Sequence, residues 1–247
     1  MVTARTAAGL AAGAALATAG WHIGPAATWI PAVRRTLSPA LDGQGDPGHV
    51  ALTFDDGPDP LSTPRFLREL DRLSVRATFF VLGAELQRYA DLGRRIVAEG
   101  HELAVHGWRH EWPWYPRLRR DLHDLPRAAD TVLKVGGERP LWYRPPYGIL
   151  TGGRWTAARR AGLQPVLWSA WGHDWTAQAD PGSVLSEVAG TLRGGGTVLL
   201  HDSDRVSAPE SWRAALGALP MLVAVCRERG MTVGPLGEHG LQAGRAA

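Results

Sequence analysis

Two adjacent carboxylates, Asp55 and Asp56, stand in the run Thr-Phe-Asp-Asp-Gly-Pro and are the first residues whose spacing suggests chemistry. Side chains alternate between the faces of a β-strand, so neighbouring carboxylates cannot both point the same way within a regular strand. Gly57 and Pro58 break the strand here and allow both carboxylates to turn towards one site. Two close carboxylates repel unless a cation or a shared proton relieves them. The pair therefore indicates a cation site; the alternative is a surface turn that caps a helix.

Two histidines four residues apart, His106 and His110, offer ligands for such a cation. Residues at this spacing meet on one helical face or in a tight turn, where neutral imidazoles chelate a divalent metal well. Together with one carboxylate from another strand end, they would form a site of two histidines and one carboxylate, open to water and substrate. A histidine pair taken alone is often accidental.

The run Arg144-Pro145-Pro146-Tyr147-Gly148 is a rigid turn, because proline fixes its own backbone and removes a donor. The amides of Tyr147 and Gly148 are then held in place, and oriented amides near a metal are what a developing oxyanion requires. A charged Arg144 at a strand end also needs a carboxylate partner. The alternative is a plain proline loop between a strand and a helix.

Two further segments carry groups for acid catalysis: Asp174-Trp175 and the run Leu199-Leu200-His201-Asp202. A carboxylate from a neighbouring strand end could hold His201 as a protonated acid. The alternatives are that His201 is a core residue with satisfied hydrogen bonds and that Asp202 and Asp204 cap the following turn.

The composition is that of a globular protein, with 45% hydrophobic and 21% charged residues. The net charge is only +3 and there is no dense Lys/Arg block, so we expect no nucleic-acid partner. Cys226 is the single cysteine, which excludes an internal disulfide and a cysteine zinc site. Any metal must therefore be held by histidine and carboxylate.

The N-terminus is rich in Ala and Gly, and about 28 residues between Arg5 and Arg34 include no charged side chain, a length sufficient to cross a bilayer. We interpret residues 1–38 as a signal peptide or membrane anchor, which predicts an extracytoplasmic protein, secreted or membrane-anchored. The alternative is an Ala-rich helix lying on the domain. Residues 39–48 are rich in turn formers and predict a linker to a domain over residues 49–240.

Short apolar runs alternate with helical patterns after residue 48. This alternation predicts an α/β fold: a distorted, incomplete (β/α) barrel with about seven parallel strands. The candidate chemical groups fall at strand ends, where such barrels collect their functional residues. The predicted strands are Val50–Asp55, Arg76–Leu82, Glu102–His106, Trp142–Arg144, Gln164–Ser169, Thr197–His201 and Met231–Val233.

Taken in order, these five segments resemble the five motifs of the NodB-homology polysaccharide deacetylases, a carbohydrate esterase family, from about Val50 to Val233. The resemblance implies a divalent metal, most often zinc, and removal of acetyl groups from an N-acetylated glycan such as peptidoglycan or a chitin-like polymer; O-acetyl groups are an open option.

The resemblance also assigns roles to matching residues. The metal ligands it implies are Asp56, His106 and His110. The catalytic groups are Asp55 as the base, Arg144 as its partner, the Tyr147 amide at the oxyanion, His201 as the acid and Asp174 as its partner. The substrate-binding residues are Pro146, Trp175 and Leu199.

Two positions depart from the family pattern: Gly107 replaces a Ser or Thr, and Trp171 replaces an Asp. They cast doubt on substrate detail rather than on catalysis. Among the eleven tryptophans, Trp112 and Trp114 are our candidates for substrate contact, whereas Trp168 is assigned to core packing.

Two other functions stay open. The same fold could act on a small amide or cyclic imide, which a cytoplasmic location would favour. A non-catalytic glycan-binding module of the envelope is the other, but Asp55 and His201, whose loss it would predict, are both present.

Overall fold

The computed structural model describes residues 4–241, within which eight strands form one curled sheet surrounded by nine α-helices. The strands are β1 His49–Asp55, β2 Thr78–Leu82, β3 Glu102–Gly107, β4 Trp142–Tyr143, β5 Gln164–Pro165, β6 Ala170–Trp171, β7 Thr197–His201 and β8 Thr232–Gly234. The helices are α1 Ala4–Ile23, α2 Pro31–Leu37, α3 Thr63–Leu73, α4 Gly83–Arg88, α5 Ala90–Ala98, α6 Leu118–Gly136, α7 Gly152–Arg160, α8 Pro181–Thr191 and α9 Trp212–Glu228. Short 3-10 helices cover Gly24–Trp29, Pro39–Asp42, Pro146–Gly148 and Leu236–Glu238.

All strand pairs are parallel, in the order β5-β4-β3-β2-β1-β7-β6, and β8 pairs with the first half of β1. Helices connect successive strands except β5 and β6, and parallel pairing requires such crossover connections. The sheet curls into an incomplete barrel, which confirms the predicted fold class. Because the strands run in one direction, their carboxyl ends meet at one mouth.

Strand β1 lies within the hydrophobic core. Every residue of β1 is buried, as expected for a parallel strand covered on both faces. Phe54 meets Phe66 of α3 edge-on and also contacts Phe79 of β2, both with ring centroids 5.1 Å apart. The strand that leads to the two aspartates is therefore buried on both faces.

One predicted strand is wrong: the run Gln164–Ser169 is not continuous. β5 ends at Pro165 beside β4, and the chain then crosses to form β6 beside β7. Residues 166–169 thus bridge the opening of the barrel, and the amide of Leu167 donates to the carbonyl of Leu41 at 2.8 Å. The N-terminal part of the chain supplies the partner that a neighbouring strand would otherwise provide.

Residues 39–46, part of the segment predicted to be a linker, pack against the barrel and form hydrogen bonds with it. The Leu41 and Asp42 side chains are buried, and the Thr197 hydroxyl donates to the carbonyl of Gly43 at 2.6 Å. The amide of Gly45 donates to the carbonyl of Gly195 at 2.8 Å. Within residues 4–241 no helix has both the length and the apolar character needed to cross a bilayer. The segment limits at 38 and 48 stay a prediction.

Candidate active site

The site begins at the carboxyl end of β1. Asp56 follows the strand with a φ of +77°, a conformation uncommon for a residue with a side chain. Both carboxylates reach the imidazole of His106: Asp56 Oδ1 lies 3.3 Å from Nε2, and Asp55 Oδ2 lies 3.8 Å from Nδ1. The predicted break after the strand is therefore present, and it brings both carboxylates to one point.

The two histidines come from the end of β3 and the turn that follows it. Their ring centroids are 5.3 Å apart, and both rings face Asp56. Gly107 lies between them with a φ of +131°, which glycine adopts without the strain imposed on other residues. A residue with a side chain would therefore be strained at this position.

Asp56, His106 and His110 have the geometry of a metal site. Their potential ligand atoms lie within 4.8 Å of one another, and Asp56 Oδ1 is 3.3 Å from His106 Nε2 and 3.7 Å from His110 Nε2. Ligand atoms about 2.1 Å from a tetrahedral ion lie roughly 3.4 Å apart. In the described part of the chain neither Asp56 oxygen has a hydrogen-bond partner, although the carboxylate is buried. These residues fit a divalent cation.

The ionisation states of Asp56 and His110 suit the same cation. Burial alone would raise the pKa of Asp56, but the surrounding imidazoles of His106, His201 and His110 lower it to about 2. Burial lowers the pKa of His110 to about 4. At neutral pH Asp56 is therefore ionised and His110 is neutral, which are the states that coordinate a metal.

Arg144 holds Asp55 from the other side. This fully buried guanidinium donates from Nη1 to Asp55 Oδ1 at 2.7 Å and to Thr53 Oγ1 at 2.8 Å, and from Nη2 to the Leu167 carbonyl at 3.0 Å. Burial lowers the pKa of Arg144, and Asp55 opposes that shift. One carboxylate oxygen of Asp55 is thus fixed, and the other is directed to the cleft beside His106.

His201 and Asp174 form a second, largely buried pair. Asp174 accepts from the His201 backbone amide at 2.7 Å and lies 3.0 Å from ring Nδ1, while ring Nε2 lies 4.0 Å from Asp56. Burial alone would lower the pKa of His201, but Asp174 together with Asp56 and Asp55 raises it to about 10. A cation bound at Asp56 would cancel part of that rise, because it neutralises the carboxylate. The contact between Asp174 and ring Nδ1 holds the His201 ring in place in either case.

The site opens into a cleft of about 380 Å³ with mostly apolar walls, to which four tryptophans and Tyr147 contribute. Trp175 and Leu199, both predicted to bind substrate, line it, and the Trp175 ring lies 5.8 Å from the His201 ring. Trp168 also lines the cleft and is only half-buried, so its assignment to core packing is wrong. The Trp171 ring lies between those of Trp168 and Trp175, tilted to both, at centroid distances of 5.4 and 5.1 Å.

The remaining predicted residues divide into those at the cleft and those away from it. Tyr147 lines the cleft, has a φ of +62°, and meets the His110 ring edge-on at 4.4 Å. Trp112 contacts Tyr147 at 5.2 Å, whereas Trp114 faces a groove against α1. Pro146 is buried and lies outside the cleft lining; its carbonyl accepts from Arg154 at 3.2 Å.

A buried carboxylate supports the loop that carries the two aspartates. Asp202 accepts from the Thr63 hydroxyl at 2.5 Å, and a Cβ at Gly57 would lie only 2.5 Å from Asp202 Oδ2. Burial raises the pKa of Asp202 to about 7. Asp202 is therefore packed against this loop; it does not cap the following turn.

Sequence reasoning did not find Thr53, Asp202 or Trp29 as parts of the site. Thr53 could have been found, because residues two apart on a strand share a face and Thr53 precedes Asp55 by two. Trp29 lines the cleft but belongs to the N-terminal segment, which no motif connects with the strand ends.

Comparison with known proteins agrees with this geometry. The family model described as polysaccharide deacetylase matches residues 42–166. A chitooligosaccharide deacetylase of Bradyrhizobium sp. (strain ANU 289) is 37% identical over 205 residues, which cover 76% of this chain and 88% of that protein. A peptidoglycan-N-acetylglucosamine deacetylase of Bacillus cereus is 37% identical over 158 residues, covering 62% of this chain and 72% of that protein.

A solved structure is similar as well: a family 4 acetyl xylan esterase from Clostridium thermocellum in complex with a cobalt ion. It aligns with a TM-score of 0.69 and 28% identity, over 77% of this chain and 89% of that one. The chain therefore belongs to the polysaccharide deacetylase family, which confirms the resemblance drawn from its motifs, and it is a hydrolase.

Proposed function

We propose that this protein removes N-acetyl groups from a glycan of the peptidoglycan or chitin type and that it does so with a bound divalent cation, zinc being our choice. The observation that carries the proposal is the convergence of Asp56, His106 and His110 between two ion pairs, the buried Asp55–Arg144 and the largely buried Asp174–His201. Similar proteins from Bradyrhizobium and Bacillus cereus, named for chitooligosaccharide and peptidoglycan substrates, support the choice of glycan.

Asp56, His106 and His110 would hold the cation. When bound, it supplies Lewis acidity at the floor of the cleft. Zinc suits the donor set, because two imidazoles and one carboxylate leave a coordination position for reactants, as in other catalytic zinc sites.

Asp55 would take the proton from the attacking water. Arg144 fixes Asp55 Oδ1 at 2.7 Å, so the proton is accepted at Oδ2, which faces His106. The Tyr147 amide would donate to the oxygen that becomes negatively charged as water adds to the acetyl carbonyl.

His201 would give a proton from Nε2 to the departing amine. An amide nitrogen needs protonation before it leaves, and an acid on the far side from the base meets that need. Asp174 holds ring Nδ1, which directs Nε2 towards the cleft. Trp175 and Leu199 would shape the pocket for the acetyl methyl group.

An extracytoplasmic location, secreted or membrane-anchored, is part of the proposal, since it would bring the enzyme to a cell-wall glycan. Its support is the uncharged N-terminal stretch. Detection of the protein only in the cytoplasmic fraction of its host would contradict this part and leave the chemistry unaffected.

The test is acetate release from an N-acetylglucosamine hexamer and from peptidoglycan by zinc-loaded protein. Asp55→Asn removes the base, and we expect a fall of about 10²- to 10⁴-fold in kcat. Asp91→Asn is the matched control, because the Asp91 side chain is 96% exposed on α5, and we expect wild-type rates. If wild type releases no acetate from chitin-type, peptidoglycan or xylan substrates, the glycan proposal fails and small amides become the leading class.

A further inference from the structure

Trp29 ends the 3-10 helix Gly24–Trp29 and lines the cleft that contains Asp55 and His110. In the sequence, Trp29 precedes both the region matched by the family model, residues 42–166, and the range of the five motifs. Trp29 is 48% exposed, so core packing does not account for it. The protein thus places an aromatic ring from the N-terminal segment into the wall of the proposed catalytic cleft.

A buried arginine keeps Trp29 in this position. Arg34 donates from Nη1 to the carbonyls of Thr28 and Trp29, at 3.1 and 3.4 Å, and from Nη2 to the carbonyl of Trp168 at 3.0 Å. Its Nε donates to Asp42 at 2.7 Å, and both members of this pair are almost fully buried. Charge-assisted hydrogen bonds of this kind are stronger than neutral ones. The backbone of Trp29 is therefore bound to the loop that carries another cleft tryptophan.

The position of Trp29 within the cleft suggests what it contacts. Asp55, Asp56 and His106 are buried at the floor, whereas Trp29 is half-exposed. A group that contacts Trp29 therefore lies further out than the group that reacts at the floor. Aromatic faces combine a large apolar area with little conformational freedom, which suits them to the C–H face of a sugar ring.

We propose that Trp29 stacks on a sugar ring next to the one that loses its acetyl group, and that it thereby favours longer glycans. This inference rests on the proposed glycan deacetylase activity. The N-terminal segment would then form part of the substrate-binding site, in addition to any role in directing the protein out of the cytoplasm.

The test compares KM and kcat for acetate release from N-acetylglucosamine oligomers of two to six units. The variants are Trp29→Ala, Trp29→Phe and Trp21→Ala in the 247-residue chain. Trp21 is an exposed tryptophan of the same segment outside the cleft lining, which makes it the matched control. We expect Trp29→Ala to raise KM for the hexamer by about 2- to 10-fold with kcat unchanged, since an aromatic contact contributes about 0.5–1.5 kcal/mol.

Trp29→Ala should change KM less for the N-acetylglucosamine dimer than for the hexamer. Trp29→Phe should have a KM close to that of wild type, and Trp21→Ala should resemble wild type. The inference is overturned if KM is unchanged for every oligomer. It is also overturned if Trp21→Ala raises KM equally, because the segment would then act through its docking. Loss of the proposed function is recognised separately, since wild type itself would release no acetate. Calorimetric titration of wild type and Trp29→Ala with the hexamer then decides the Trp29 claim, and equal affinities would reject it.

Discussion

Replacing Asp174 with asparagine should separate the proposed acid from the proposed base. Asp174 is buried and accepts from both the backbone amide and the ring of His201, at 2.7 and 3.0 Å. Asparagine has the same shape but only one acceptor oxygen, so one of the two interactions is lost together with the negative charge. A hydrogen bond to a charged group contributes about 1.5–3 kcal/mol, which corresponds to about 10- to 100-fold in rate if it acts in the transition state.

The assay uses two substrates that differ in their need for an acid. An N-acetylglucosamine oligomer releases an amine that must be protonated, whereas 4-nitrophenyl acetate releases a phenolate that leaves unaided. We expect Asp174→Asn to lower kcat for the oligomer by about 10- to 100-fold and for the aryl ester by less than about 3-fold. Asp180→Asn is the matched control, because Asp180 caps α8 and asparagine is an equally good N-cap.

Equal losses on the two substrates would refute the reasoning, since they would show that Asp174 supports the whole site and not the acid. Full activity on the oligomer would refute it as well. Thermal unfolding of the variant, measured beside the control, shows whether the fold is retained in either case.

Two further predictions concern stability and the loop of the two aspartates. Burial lowers the pKa of His101 to about 4, so between about pH 4 and 6.5 His101 is protonated in the unfolded chain but not in the folded one. The free energy of unfolding should therefore rise by up to about 3 kcal/mol across this pH range. His101→Asn keeps an acceptor for the Ala77 amide and should flatten this rise in denaturant titrations; an unchanged slope would contradict the assignment. Gly57→Ala should lower the free energy of unfolding by about 1–3 kcal/mol and reduce kcat, because the new Cβ meets Asp202; wild-type stability and activity would show that the loop tolerates it.

Much of the fold could be predicted because the strands are apolar runs with polar residues at their ends. The interrupted strand after Gln164 could not, since its partner comes from Leu41, far away in the sequence. The same distance explains the error on Trp168: an apolar run suggests a core strand, but here the chain crosses the barrel opening and exposes one ring to the cleft.

The residues of the candidate site could be predicted from the sequence more completely than the residues around it. Asp56, His106 and His110 occur within recognisable motifs, and the structure brings them together. The burial of Arg34 could not be predicted, because charged residues are usually exposed. Its carboxylate partner Asp42 lies in a run whose composition is typical of a linker. Burial of a charge is decided by tertiary packing, which no local pattern reports.

The metal site is the central claim, and zinc titration of metal-stripped protein tests it most directly. Calorimetry on wild type at neutral pH should show one ion bound per chain. His123→Ala should behave like wild type, because His123 is exposed on α6, whereas His106→Ala should weaken binding by at least about 100-fold. If wild type binds no ion, or if His106→Ala binds as tightly as wild type, the three residues do not form the proposed site.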